Sequence, residues 1–523
     1  MKKIVINQLT LPAGTPESEL TVIASNKYKT TLHFDRILRK SVDARDRGRV
    51  IISYRIVFKV ADGDLERVLR FGAEAWEDPA APVLERCSKP PKVVIIGSGP
   101  AGLFAALRLL ARGIPSVILE RGKPVEQRNF DIEQLRQQGI LDPESNVVFG
   151  EGGAGTWSDG KLTTRINKDG IDWIFDKLVE HGAPKNILWD SKPHIGTDIL
   201  APVVARIRAT LEKGGCEFHF GEKVTGLIIK DGTITGVACA SGTHYSAWHV
   251  IAATGHSARD FYEMLSSSGI SLEAKGFAVG MRIEHPVDFI NRNQYGEFAG
   301  KLGAADYRLV FNNPVSGRGI YSFCMCPGGE VVNSSSEPGK LCVNGMSWSK
   351  RDLATSNSAI VVNVRPEDMA AGALAGIEFQ RGIEQAAFLA GGGGFASPAM
   401  QVRDYVHSVQ ASHLQAKVTA SYLPGVKAAD LAALYPDFIN QEIRAGLLDF
   451  DRKIPGFIDQ GVLIGVETRT SSPVRISRGA DYQSISLRRF YPAGEGGGYS
   501  GGIVSSAVDG LRIADYIATE HIG

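Results

Sequence analysis

The stretch VVIIGSGPAGLFAALRLLARGIPSVILERG, residues 93–122, constrains the fold more than any other part of the chain. Four β-branched residues run into Gly-Ser-Gly-Pro, and the apolar period then changes. Leu103, Ala106, Leu107 and Leu110 recur at helical spacing, Gly113 closes that helix, and SVIL forms a second apolar run. A membrane-spanning helix needs about 20 apolar residues without such punctuation. Strand, glycine turn, helix and strand make a βαβ unit, apolar because a parallel sheet is buried on both faces.

Within the turn, Gly97, Gly99 and Gly102 spell G-x-G-x-x-G. The spacing suits a tight turn, close approach of a pyrophosphate, and close packing of helix on strand. The following helix offers free N–H groups and a positive dipole end to phosphates. Glu120 ends the second strand about 20 residues on, where a carboxylate accepts ribose hydroxyls and repels a 2′-phosphate. FAD or NAD is therefore expected over NADP. The same spacing recurs at Gly150, Gly152, Gly155 and at Gly496, Gly498, Gly501, with a variant at Gly391, Gly393, Ala396. None of these has the full strand–helix–strand context.

At 523 residues the chain is expected to hold two or three domains. A net charge of +1 leaves no electrostatic footprint for nucleic acid or an anionic membrane. Six cysteines, Cys87, Cys216, Cys239, Cys324, Cys326 and Cys342, form no disulfide framework, which favours a reducing, cytoplasmic setting. The opening MKKIVINQLTLPAG reads as a first strand, because Asn7 and Gln8 interrupt its apolar run and no cleavage site follows.

Later segments return to the nucleotide unit. VTGLII and TITGVACA flank a KDG hairpin turn, AATG follows an apolar strand, and FYPAGEGGGYSGGIVSSAVDGLRIADYI reads as strand, glycine loop and helix. This set resembles the two-dinucleotide-fold flavoproteins of the glutathione-reductase type. The resemblance implies non-covalent FAD held at Gly97, Gly99, Pro100, Ala101 and Gly102, with Glu120, Arg121 and Arg128 beyond the second strand. It further implies an adenine clamp near Val224, closure at Thr254 and Gly255, and a C-terminal site of Gly494, Glu495, Gly501, Gly502 and Ile503.

More closely, the chain is similar to a family of mostly bacterial, and some plastid, FAD-dependent or NAD-utilizing dehydrogenases. The likeness rests on GEGGAGTWSDGKLTTR, KPHIGTDIL, AVGMRIEHPVDFINRNQYG, YSFCMCPGGEVVNSSSE, NGMSWSKRD, GVETRTSSPVRI and the C-terminal glycine loop. It implies cofactor and fold, not substrate.

Three units are expected: an N-terminal α+β domain of ferredoxin-like type over 1–88, an α/β FAD-binding Rossmann-like domain over 89–275 plus 455–523, and an inserted α+β substrate or cap domain over 276–454. RKSVDARDRGR in the first reads as a solvated hairpin, with a docking surface for a protein partner as the alternative.

Flavin chemistry needs orientation of substrate more than a side-chain nucleophile. The loop Gly150–Lys161 is the local candidate for ring contact, through Gly153, Thr156, Ser158 and Lys161. His194 is a candidate proton donor or a backbone-bonded structural histidine. On one strand, Arg282 shares a face with Glu284 while His285 points the other way. Arg282 and Arg469 suit either an anionic substrate or structural ion pairs. Cys324-Met325-Cys326 lacks the C-x-x-C or C-x4-C spacing of disulfide oxidoreductases, so packing is the preferred reading, and no metal site is expected.

These readings converge on an FAD-dependent oxidoreductase that transfers hydride between flavin and a small organic substrate, with NAD(P)H open as a transient reductant. A flavin monooxygenase is the first alternative, although the halogenase W-x-W-x-I-P loop is missing from the sequence. A non-catalytic FAD-binding protein with a partner-docking N-terminal domain is the second.

Overall fold

The computed structural model describes residues 1–46, 48–79, 83–164, 166, 169–409 and 420–521. Arg47 of the basic hairpin, Arg165 after the glycine loop and residues 80–82 of the first linker lie outside the described residues.

The N-terminal strands Lys2–Pro12, His33–Asp43, Ile51–Val60 and Glu74–Ala75 form an antiparallel sheet in which Ile51–Val60 and Lys2–Pro12 are central. Helices Glu19–Tyr28 and Leu65–Arg70 belong to the same unit. Alternation along Ile51–Val60 sends Ile52, Tyr54, Ile56 and Phe58 to one face, where they pack with Leu20 and Tyr28. The edge strand His33–Asp43 is not left open. Lys40 donates its N–H to Trp189 O at 2.8 Å and accepts from Ser191 N at 2.8 Å, so part of the basic segment is bonded within the chain.

Five parallel strands form the next sheet, in the order Phe490–Pro492, His249–Ala252, Val93–Ile96, Ser116–Glu120, Glu217–Phe220. Both sides are covered, which is why its inner strands read as unbroken apolar runs. The helix Pro100–Ala111 is buried around nearly its whole circumference from Ala101 to Leu109, beyond the single apolar face read from the sequence. Its outer side is covered by the C-terminal helix Ile503–Thr519, at Gly510: a Cβ there would lie 2.1 Å from Ala101 O. The strands Val224–Lys230, Thr233–Cys239 and His244–Ser246 form an antiparallel meander whose first turn is Asp231-Gly232, both at positive φ.

The third large element is a seven-stranded sheet centred on Thr355–Val364, Phe277–Pro286 and Val462–Glu467, packed against helices that include Asp437–Lys453. The sequence assigns Val462–Glu467 to the returning cofactor segment that starts near 455. In the structure it pairs with Phe277–Pro286 on one side and Ser397–Gln401 on the other, so the chain leaves this sheet only after Glu467. Its apolar run VLIGVE suits either buried sheet, and long-range pairing decides. Among the described residues, no helix is long and apolar enough to cross a membrane.

Candidate functional site

In the five-stranded sheet, the connections from Val93–Ile96 and from His249–Ala252 lead to opposite sides, and the crevice at such a switch point is where open α/β sheets bind ligands. A cleft lies there, at the carboxyl ends of the strands. Its wall includes Gly97, Gly99, Pro100 and Ala101 after Val93–Ile96, Glu120 and Arg121 at the end of Ser116–Glu120, Thr254 and Gly255 after His249–Ala252, and Glu495, Gly502 and Ile503 near the C-terminus. Val224, Gly153, Ser158 and Lys161 also face it. The helices beginning at Pro100 and Ile503 pack on one another and start at this same cleft.

Two features make the turn a close cradle. Gly97 has φ +98°, and a Cβ there would stand 2.5 Å from Ala253 O; a Cβ on Gly102 would stand 2.0 Å from Gly97 O. Gly153 lies over the turn, with Gly99 Cα 3.2 Å from where its Cβ would be. Backbone alone therefore lines the approach to the helix N-terminus, as a pyrophosphate requires.

Glu120 is buried and accepts from Ser98 N at 2.9 Å, Ser98 Oγ at 2.8 Å, Gly122 N at 3.0 Å and Gly150 N at 3.1 Å. Its four acceptor positions are thus engaged by protein donors, so the carboxylate joins the turn to the glycine loop as well as bordering the cleft. Arg121 stacks 4.0 Å from the Phe149 ring centroid and pairs with Glu144 at 2.6 Å and Asp260 at 2.9 Å.

Arg128 does not reach the cleft. It is fully buried and donates to the carbonyls of Asn146, Val147 and Glu151 at 2.8, 2.8 and 2.7 Å, and burial lowers its pKa to about 10. Its expected cofactor contact is corrected to a scaffold for the loop that carries Gly150. Thr156 likewise is buried beneath the cleft, beside Gly152 and Val204. Gly494 donates its N–H to Asp509 at 2.7 Å, and Asp509 pairs with Arg478 at 2.6 Å. Gly494 and Gly501 flank cleft residues but are not part of its wall.

The catalytic candidates are mostly elsewhere. His194 lies 3.2 Å from Ser349 O and is not part of the cleft wall, and burial lowers its pKa. His285 is enclosed against Phe457 O at 2.8 Å and the Phe289 ring. Arg469 makes a two-point pair with Glu384, at 2.9 and 2.7 Å, and a bond to Ser336 at 2.6 Å. Arg282 is enclosed too, 2.5 Å from Glu467 and 2.6 Å from Asn344 Oδ1, while donating to Cys324 O at 2.7 Å. Burial of Glu467 raises its pKa to about 7 despite that partner. For Arg282 and Arg469 the ion-pair reading is the one realised.

The histidine that does face the cleft is His256, with Nε2 3.1 Å from Arg469 O and Nδ1 3.6 Å from Glu495. Cys324 also faces it, from the seven-stranded sheet, as do Lys223 and Asp260. His256 directly follows the quoted AATG segment, so its position after a strand end was the available signal; Cys324 is marked by the C-x-C pair, for which packing was the preferred reading.

The open backbone cradle, the two helix N-termini and the extended wall between Val224 and Lys161 suit a dinucleotide cofactor with an additional ring system. Residues 91–130 match the family model described as an FAD binding domain, and residues 276–470 match that of the FAD-dependent protein, C-terminal domain-like. An uncharacterized protein of Clostridium beijerinckii is 41% identical over 495 residues, spanning 92% of this chain and 91% of that protein. A thiamine thiazole synthase of Methanococcus vannielii is 28% identical over 177 residues, which is 32% of this chain and 56% of the synthase. The solved glycerol-3-phosphate dehydrogenase of Bacillus halodurans, complexed with FAD, aligns over 83% of this chain and 65% of its own at 12% identity and a TM-score of 0.35. On the near full-length likeness and the two FAD domain matches, the chain belongs to the family of the Clostridium beijerinckii protein and is an FAD-dependent protein.

Proposed function

We propose that the protein transfers hydride between FAD and a small organic substrate, as a dehydrogenase or reductase. The observation that carries this reading is the shared cleft: its wall combines the nucleotide turn, the Gly153–Lys161 loop and the C-terminal helix start with Cys324 from the seven-stranded sheet. When bound, FAD supplies the two-electron chemistry, and the protein supplies orientation and charge.

In this reading the Gly97–Gly102 turn receives the pyrophosphate, Glu120 and Val224 border the adenosine, and Ser158, Lys161, Gly502 and Ile503 border the ring end. Lys161 is held 2.9 Å from Asp159, which fixes a cation at that end. His256 donates from Nε2 to Arg469 O, which leaves Nδ1 directed toward Glu495 beside the cleft. The glutathione-reductase type of the fold and the three-unit division are part of the same proposal, with the inner boundary moved beyond Glu467. They are supported by the parallel sheet, the antiparallel meander and the separate seven-stranded sheet.

The test is to record the visible spectrum of the purified protein and mix it anaerobically with NADH and with NADPH while following the ~450 nm flavin band. Bleaching supports a reductase with a transient nicotinamide donor. Persistence of the band, with dithionite still effective, supports reduction by the organic substrate. Purified protein without flavin overturns the reading, and substrate hydroxylation coupled to dioxygen uptake moves it to a flavin monooxygenase.

A further inference from the structure

Cys324 and Cys326 lie near the end of the strand Gly319–Cys326, where that strand gains one residue relative to its partner: Phe323 opposes Ala359 and Cys326 opposes Asn357. At the bulge Cys324 adopts φ +44°, an uncommon conformation for a residue with a side chain. A regular strand would hold both thiols on one face, with Cα atoms roughly 6.6 Å apart. The bulge instead leaves Cys324 on the cleft wall and Cys326 fully buried.

The surroundings of the pair are polar and cationic. Lys161 donates to the carbonyl of the intervening Met325, and Arg282 donates to that of Cys324 at 2.7 Å. The Cys326 thiol lies 3.2 Å from Cys324 O. Donation from the Cys326 thiol, together with the charges of Lys161 and Arg282, holds the Cys324 pKa well below the ordinary thiol range. Burial and the charge of Asp159 oppose this, and Glu467 is the other carboxyl facing Cys324. The Cys326 pKa is raised. By contrast, burial raises the thiols of Cys216, Cys239 and Cys342, none of which lines the cleft. A cleft-lining thiol of lowered pKa beside a buried second thiol is the arrangement that thiol–disulfide exchange requires.

We propose that Cys324 and Cys326 are a redox-active pair opening on the cofactor cleft, with Cys324 attacking and Cys326 resolving, and a small disulfide as the substrate class. The Cys324 thiolate attacks one substrate sulfur, its S–S bond breaks, and one half leaves as a thiolate. Cys326 then attacks the Cys324 sulfur, closing the internal disulfide and expelling the second half as a thiolate. The proton of Cys326 passes to a released thiolate. The pair loses two electrons and the substrate sulfurs gain them. This chemistry uses the cleft of the proposed oxidoreductase, but it does not require the hydride reaction.

The experiment uses the full-length flavoprotein, reduced, freed of reductant, exposed to oxidised glutathione, then denatured and alkylated. Mass analysis of the tryptic peptide Gly319–Lys340 is expected to show an unlabelled form two hydrogens lighter, restored to two alkylated thiols by dithiothreitol. Cys326→Ser is expected to retain glutathione on Cys324, and Cys324→Ser to take up none. Both thiols remaining alkylatable in the wild type would overturn the proposal, as would a lasting glutathione adduct on wild-type Cys324 without internal closure. Iodoacetamide labelling of wild-type Cys324 against pH is the second readout, independent of variant folding. Its inflection is expected well below about 8.5, the ordinary thiol value, and an ordinary inflection overturns the thiolate assignment. The flavin band of the same samples separates this result from the cofactor reading: exchanging thiols without flavin would count against the hydride reaction alone.

Discussion

Glu120 accepts the backbone N–H of Gly150 at 3.1 Å through one carboxylate oxygen and that of Ser98 at 2.9 Å through the other. One side chain therefore clasps the nucleotide turn to the glycine loop laid over it. In Glu120→Gln an amide N–H2 must face backbone donors, and the charge that strengthens the remaining bonds is gone. The expected result is a loss of about 3 kcal/mol of stability, on the scale of hydrogen bonds to a buried charged group, together with reduced flavin content. Denaturant unfolding and the ratio of visible to ultraviolet absorbance measure the two effects.

Gly102→Ala tests the cradle itself. Its Cβ would stand 2.0 Å from Gly97 O and 3.2 Å from an Ile95 methyl carbon, so helix and turn must separate. Purification of flavin-poor protein with a lowered melting temperature is expected. A fully flavin-loaded G102A protein would contradict the close packing of helix on strand.

Arg469 and Arg259 share Glu384, with Arg259 2.7 Å from it on the other side. Together they hold the Glu384 carboxyl well below its ordinary range despite burial. Arg469→Met leaves this buried carboxylate with one cationic partner, and a loss of about 3 kcal/mol is expected. As a structural cation, Arg469 should affect folding first. R469M protein that stays folded should keep its flavin spectrum and respond to added substrate with little change in KM. A large KM rise at unchanged stability would restore the substrate-binding reading.

Burial lowers the His285 pKa to about 4. Between that value and the unfolded value of about 6.5, the unfolded chain binds more protons, so stability falls as pH falls. The full contribution, present above pH ~6.5, is about 3 kcal/mol. Glu284 and Glu467, both raised to about 7 by burial, act in the opposite direction: their contribution is present below the unfolded carboxylate pKa and lost as pH rises through about 7. Urea midpoints of wild type and His285→Phe from pH 7 down to 4.5 separate the two effects. The variant is expected to lose less stability over that interval. Parallel curves would show that His285 does not titrate on unfolding.

Much of the nucleotide unit was legible because its information is local. Strand, turn and helix lie within one contiguous stretch, and the glycine requirement at Gly102 is set by Gly97 a few residues away. The Asp231-Gly232 hairpin was legible for the same reason. The strand Val462–Glu467 was not: its apolar run is compatible with two buried sheets, and pairing with Phe277–Pro286, far back in the chain, selects one. The resemblance implies a cofactor contact for Arg128, yet its helix turns it inward to three loop carbonyls.

The sequence by itself determined the βαβ cradle and the return of later segments to the same cleft. Glycine spacing and apolar period are properties of short stretches, and they act before any distant contact forms. Only the tertiary structure decided which charged groups face the cleft. Arg282 and Arg469 find partners in Glu467 and Glu384, and are enclosed, whereas His256, Lys161 and Cys324 stand on the wall. A side chain's chemistry is written in the sequence. Its partner, its burial and therefore its protonation depend on elements that meet only when the chain has folded.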